Sequence, residues 1–374
     1  MKPFKIPVYV TKPFLPPLEE LCQGLEGIWE TQVLTNNGPI LHSFTGKLKT
    51  FLESENLCLF NNGTMALDMA LKGMEISGEV ITTPFTFVAT THALVLNKIR
   101  PVFVDIEPEY YTINPEKVEA AITPWTTAIL AVHIYGHPCK FNALADITSR
   151  HNLKLIYDAA NVFGVKVGNK SIAHFGDLSM FSFHATKSFH SLEGGMLIFR
   201  QCGLKGIFDY LKNFGFQNEV EVVMPGTNAK MNEMQALMGI QVLKHLDEII
   251  DKRARITDLY RDRLKEIPGI RLVPPLSPDI RYNHVYMPIE VDEQEFGMNR
   301  DTPYEKLKEY NVFSRRYFYP LITDYACYRN VSVKDPLDIA RRAAERILIL
   351  PIYDSLDQSD VEAICEIIIS LRPR

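Results

Sequence analysis

A chain of 374 residues, 46% of them hydrophobic, can bury a large core, and its length favours two lobes over one compact unit. The formal charge of -5 and pI of about 6.1 exclude a general nucleic-acid binder, which carries a basic excess, and leave open a small anion held by local arginines. The six cysteines, Cys22, Cys58, Cys139, Cys202, Cys327 and Cys365, have no CxxC pair and no zinc-type spacing, so they read as reduced packing residues and no metal site is expected.

The opening MKPFKIPVYVTKPFLPPLEE has prolines where a signal peptide needs an apolar run. No stretch approaches the roughly 18 uninterrupted apolar residues of a membrane span, so a cytoplasmic location is expected. As far as Asn37 the chain reads as an arm packed on the core, with a short amphipathic pattern LEELCQGLEGIWE and a turn-rich LTNNGP. From Gly46 a helical pattern, GKLKTFLES, precedes an apolar run that ends at Asn61-Asn62-Gly63-Thr64, where a new helix begins. Glycine at such a junction lets backbone N–H groups approach a ligand, and the helix N-terminus attracts an anion, so a phosphate fits at Gly63 and Thr64. An ordinary turn capped by Thr64 explains the same residues.

Strand-like and helical stretches then alternate through EVITTPFTFVATTHALVLNKI, PVFVDIEPEYYTINPEKVEAAI, TTAILAVHIYGHP, NALADITSRHN and KLIYDAANVFG. That alternation predicts an α/β fold with a mainly parallel sheet and helices on both faces. Ligands in such sheets sit at the carboxyl ends of strands, which selects Phe87, His133, Asp158 and Lys187. Asp158 ends an apolar strand, where a carboxylate needs a cationic or hydrogen-bonding partner; a pyridinium nitrogen and the N-terminus of a following helix are equal candidates. Lys187 lies in SFHATKSFHSLEGG, between a strand-like run and a glycine pair, a setting that desolvates an amine for imine chemistry. A phosphate turn, an aromatic, a strand-end carboxylate and a lysine, in that order, meet the four needs of pyridoxal phosphate: anchoring, stacking, ring-nitrogen protonation and an imine partner.

With NNGTMAL, TTPFTFVATTHA, PVFVDIEPE, VHIYGHP, YDAANVFG, FGDLSMFSFHATK, EGGM, NFGF, GTNAKMNEMQA and SRRYFYPL, the chain resembles the DegT/DnrJ/EryC1/StrS family of pyridoxal-phosphate sugar aminotransferases over nearly its whole length. The resemblance implies fold-type I, with a three-layer α/β/α cofactor domain and a smaller α+β C-terminal domain, divided here as 1–250 and 251–374, and a homodimer with shared active sites. It implies that Lys187 is the lysine joined to the cofactor, that Asp158 faces the pyridinium, that Phe87 covers the ring, and that Gly63, Thr64 and Ser182 hold the phosphate. Asn228 resembles the asparagine that the other subunit gives to the phosphate, and Asn161 is the cofactor-binding residue that stands, one methylene shorter, where the family usually has a glutamine for the ring oxygen. His184 and Glu193 are candidates for substrate contact, each with a packing or structural role as its alternative.

Further on, MNEMQALMGIQVLKHLDEIIDKRARITDLYRDRLKEI predicts one long helix crossing between the lobes. The last third alternates YNHVYMPIEV, TPYEKLKEY, ARRAAERI, ILILP and DQSDVEAICEIIISL as strand, helix, helix, strand and helix. Within it Arg315, Arg316, Tyr317 and Tyr319 form a basic and aromatic cluster suited to a nucleotide-sugar diphosphate, with a salt-bridged strand edge as the alternative. In the family, Ser-Phe-His before the lysine and Glu-Gly-Gly after it commonly accompany transfer at C4, and Tyr-Pro in place of His-Ala transfer at C3; here the residues are His184 and Ala185. The resemblance thus implies amino transfer from L-glutamate to C4 of a nucleotide-linked 4-keto-6-deoxyhexose, dTDP-4-keto-6-deoxyglucose first, for an O-antigen or other surface glycan. Transfer at C3, another nucleotide sugar, or a non-catalytic regulator on the same scaffold are the alternatives.

Overall fold

The computed structural model describes residues 2–373. Eight strands form the large sheet in the order Ser332–Val333, Arg100–Phe103, Glu79–Thr82, Thr126–Val132, Lys154–Asp158, Leu178–Ser182, Gly195–Phe199 and Leu57–Phe60. All neighbours run parallel except Gly195–Phe199, which is antiparallel to both of its partners. Its first residue therefore lies beside Ser182 and Phe60, at the carboxyl end of the other strands. Alternate residues feed opposite cores, as the two-residue period of a strand requires: Phe181, Met196 and Leu59 join one apolar cluster, and Met180, Leu197 and Cys58 the other.

A second sheet, Ile270–Leu272, Met287–Val291 and Ile347–Leu350, is antiparallel and packs with the helices Leu246–Leu264 and Gln358–Ser370. Three short strands pair across the expected division between 1–250 and 251–374, one of them Ile280–Arg281, which is antiparallel to Lys166–Val167. Val8–Tyr9 pairs with Val312–Phe313, so the arm begins on the C-terminal lobe, while Ser332–Val333 extends the edge of the large sheet. Among the described residues all six cysteines are free thiols. No described helix is long and apolar enough to cross a membrane.

Two helices depart from their sequence patterns, both through distant contacts. The helix expected from Gly46 begins at Pro39, because the fully buried carboxylate of Glu233 accepts the N–H groups of Ile40 at 2.7 Å and Leu41 at 3.1 Å. A charged acceptor at a helix N-terminus satisfies donors that have no partner within the helix. The single long helix expected after Met231 is two, Glu233–Lys244 and Leu246–Leu264, broken at His245. There the imidazole packs 5.2 Å from the Phe14 ring and 3.3 Å from the Glu20 carboxylate, so the N-terminal arm sets the break. Glu233→Ala is expected to lower stability by about 3 kcal/mol, the cost of stranding two buried donors, measured as a shift in the urea midpoint.

Candidate active site

Lys187 follows the strand Leu178–Ser182 on a loop whose backbone closes through Lys187 N donating to the His184 carbonyl at 2.9 Å. Two residues on, fully buried Phe189 stacks on Phe163 at 4.2 Å and meets Phe183 edge-on at 4.8 Å. The buried His190 bonds the Phe14 carbonyl at 2.7 Å. These anchors fix the loop and leave the Lys187 amine partly buried, donating to Asn161 Oδ1 at 2.7 Å and 6.0 Å from the Tyr286 ring centre. Burial pushes this amine below the ordinary lysine range, with Asp158 and Tyr317 partly restoring it.

Asp158 is buried at the end of its strand. One oxygen accepts the Thr90 hydroxyl at 2.8 Å and the other the Ala160 N–H at 3.1 Å. No helix starts here, so the capping alternative falls away: the residues that follow form turns. Burial pushes the carboxyl above its usual range, opposed by the hydrogen bonds from Thr90 and Ala160 and by the charge of Lys187. Asn161 is oriented from both ends, its amide donating to the His133 carbonyl at 3.4 Å and its own carbonyl accepting Asn283 Nδ2 at 2.9 Å.

The turn before the helix Gly63–Gly73 is capped by Asn62, whose side chain accepts Met65 N at 2.8 Å. Thr64, the residue expected to cap in the simpler alternative, is left exposed on the first turn. A side chain at Gly63 would put its Cβ 2.9 Å from that of Ser182, so glycine is what lets the helix N-terminus close onto the strand end. A Cβ at Gly195 would lie 2.7 Å from Gly63 N, which explains the second glycine of the pair. Gly63 thus lies against Ser182 at the positive end of the helix dipole, with Thr64 exposed on the same first turn. Asn228 is exposed where its backbone pairs with Asn213.

Thr86, Phe87, Arg315, Arg316, Tyr317 and Tyr319 line one cleft, with Phe87 exposed at its mouth. The two arginines differ. Arg316 is bound to Asp301 at 3.1 Å and lies over Tyr304 and Tyr319, at 4.4 and 5.1 Å from their ring centres, whereas Arg315 is exposed and has no carboxylate within 4.0 Å among the described residues. The salt-bridge alternative describes Arg316, and Arg315 is the cation left to meet an anion. Arg300 and Arg316 lie 5.0 and 5.1 Å from the centre of the Tyr319 ring, which remains exposed.

His184 contacts Thr186 Oγ1 at 2.7 Å and Glu193 at 3.3 Å, so these two substrate candidates are paired beside Lys187. His133, selected by the strand-end rule, is fully buried, stacked at 4.6 Å on Tyr157 with Nδ1 accepting Cys139 N. Desolvation holds its imidazole neutral, with a pKa of about 3, and it lines no part of the cleft. Thr90, Asn283, Tyr286 and His190 are functional neighbours that the sequence reading misses. Thr90 has a signal, standing four residues after Thr86 in TTPFTFVATTHA at helical spacing. Among the described residues no cluster of metal-ligating side chains occurs.

The chain is 45% identical over 358 residues to the dTDP-4-amino-4,6-dideoxy-D-glucose transaminase of Shigella dysenteriae, covering 96% of this chain and 97% of that protein. It is 43% identical, with the same coverage, to the protein of the same name from Escherichia coli. The crystal structure of DesI in the presence of its TDP-sugar product superposes with a TM-score of 0.94 at 32% identity, over 100% of this chain and 95% of that one. A model of the DegT/DnrJ/EryC1/StrS aminotransferase family matches residues 18–369, and with the fold and the lysine–carboxylate site described above, the chain belongs to that family.

Proposed function

We propose that the protein transfers the amino group of L-glutamate to C4 of dTDP-4-keto-6-deoxyglucose, giving dTDP-4-amino-4,6-dideoxyglucose for a surface glycan, with pyridoxal 5′-phosphate as its resident cofactor. The observation that carries this reading is the amine of Lys187, held at 2.7 Å by Asn161, in the same site as the buried carboxylate of Asp158. A buried carboxylate with its pKa raised is a place for a cation, and a pyridinium meets that need. The helix N-terminus at Gly63 and Thr64, closed onto Ser182, suits a phosphate, and the exposed ring of Phe87 offers an aromatic face for the cofactor ring. The residues present therefore fit the cofactor.

When bound, that cofactor supplies a protonated ring able to hold the electron pair released as a C–H bond breaks. The protein does the rest. Asp158 keeps the ring nitrogen charged; Lys187 Nζ takes the proton from Cα of glutamate and, in the second half of the cycle, delivers one to C4 of the sugar. Burial, which lowers its pKa from the ordinary lysine range, favours the neutral amine that this role needs. Asn161 holds the amine in place between the two halves. Arg315 binds the diphosphate, and the pair His184–Glu193 faces the sugar from the lysine side. In this reading the protein is a homodimer with shared active sites, and Asn228, exposed in this chain, contacts the cofactor phosphate of a second copy.

Purified protein with pyridoxal 5′-phosphate is expected to absorb near the visible edge, to lose that band on adding glutamate, and to regain it on adding dTDP-4-keto-6-deoxyglucose. A protein that never develops the band contradicts the cofactor assignment. Arg315→Ala is expected to raise KM for the nucleotide sugar about tenfold or more with little change in kcat, as loss of a charged hydrogen bond does. Arg316→Ala, which breaks the pair with Asp301, is expected to move KM much less.

A further inference from the structure

Two buried hydroxyls behind the site have no part in the chemistry above. Thr90 is fully buried in the first turn of the helix Val88–Leu96, and its hydroxyl donates to Asp158 Oδ2 at 2.8 Å. Thr86, buried on the cleft wall, places its own hydroxyl 3.1 Å from Thr90 Oγ1. A threonine has one hydrogen to give. With that of Thr90 committed to an ionised carboxylate, Thr86 must donate to Thr90, and both dipoles point toward Asp158. On the other oxygen the Ala160 N–H at 3.1 Å is a group that only donates.

We propose that Thr90, aligned by Thr86, is a positioning residue that keeps Asp158 a proton-free acceptor, so that the proton it shares with the cofactor stays on the ring nitrogen. The inference rests on pyridoxal 5′-phosphate being the resident cofactor. The same atoms admit an opposite chain, in which protonated Asp158 donates to Thr90 and Thr90 to Thr86, and the ring nitrogen is then neutral and a poor electron sink. Burial favours that opposite chain, and the Thr90 hydrogen bond is the strongest contact opposing it. Thr90 therefore decides which end of the Asp158–nitrogen contact holds the proton. Valine keeps the β-branched shape of threonine without the hydroxyl, so Thr90→Val removes the hydrogen bond and leaves the branched side chain in place.

The probe is pyridoxal 5′-phosphate labelled with 15N in the ring, bound to the full-length apo-protein and followed by NMR as a function of pH. The wild type is expected to show the shift of a protonated pyridinium at neutral pH. In Thr90→Val the shift is expected to move toward neutral pyridine, with kcat lower by about tenfold, the effect of one hydrogen bond to a charged group, while Thr90→Ser keeps the wild-type shift. A pyridinium shift in Thr90→Val identical to that of the wild type would overturn the proposal. Should Thr90→Val not fold, Thr86→Val, which frees Thr90 to rotate away from the carboxylate, is read in the same way, and an unchanged shift there overturns the proposal too. Wild-type protein that fails to bind the labelled cofactor would overturn the cofactor assignment itself, a separate result.

Discussion

Lys187→Ala is expected to abolish measurable amino transfer, and with it the absorbance near the visible edge that the wild type develops with pyridoxal 5′-phosphate. The loop that carries Lys187 is fixed by Phe189, His190 and the His184 carbonyl, none of which the substitution touches. What disappears is the partly buried amine that moves the proton, a function worth about 10²–10⁴-fold before its covalent role is counted. Lys187→Arg is expected to be equally inactive, because a guanidinium stays protonated and cannot serve as a base. Single-turnover measurements with glutamate alone isolate the first half-reaction. Transfer in either variant at roughly a tenth of the wild-type rate, far above the loss expected of a missing acid–base group, would remove Lys187 from the mechanism.

Asp158→Asn is expected to separate activity from stability. An amide cannot balance a pyridinium, so kcat falls by about 10²–10³-fold, the scale of losing one preorganised charge contact in a water-poor site. The apo-protein, relieved of a buried carboxylate, is expected to be as stable or more stable. The sign follows from the raised folded-state pKa of Asp158. An unfolded aspartate gives up its proton near about pH 3.9, the folded one later, so between the two values the folded state holds more protons and wild-type stability falls as pH rises. The Asp158→Asn variant has no carboxyl at this position and loses that dependence. Denaturant midpoints of the two apo-proteins, followed from about pH 4 upward through neutrality, measure the difference, and a steeper loss in the variant would contradict the account.

The large sheet was legible because its strands are short apolar runs separated by helical periods, and because the strand-end rule concerns backbone geometry. That rule placed Asp158 and Lys187 at one end of the sheet, where they are found. It selected His133 as well, whose backbone is at the same end but whose ring turns into the core against Tyr157. Where a strand ends is written in local pattern; which way a side chain then points depends on what packs beside it. The same limit hid the helix start at Pro39, made by Glu233 from another part of the chain, and the break at His245, made beside Phe14 and Glu20. It also merged Arg315 and Arg316, adjacent in sequence, into one cluster. Only the position of Asp301 shows that one arginine is already neutralised.

Asn161 is a different case. Its side chain, shorter than the usual glutamine, reaches the lysine amine at 2.7 Å. The residue holds Lys187 in place, and its own backbone is tied in turn by Asn283.

The most direct test of the account is to incubate the purified protein with pyridoxal 5′-phosphate, L-glutamate and dTDP-4-keto-6-deoxyglucose and to locate the new nitrogen by NMR of the sugar product. Nitrogen on C4 is the predicted result. Nitrogen on C3, or unchanged keto sugar in the presence of bound cofactor, would contradict it.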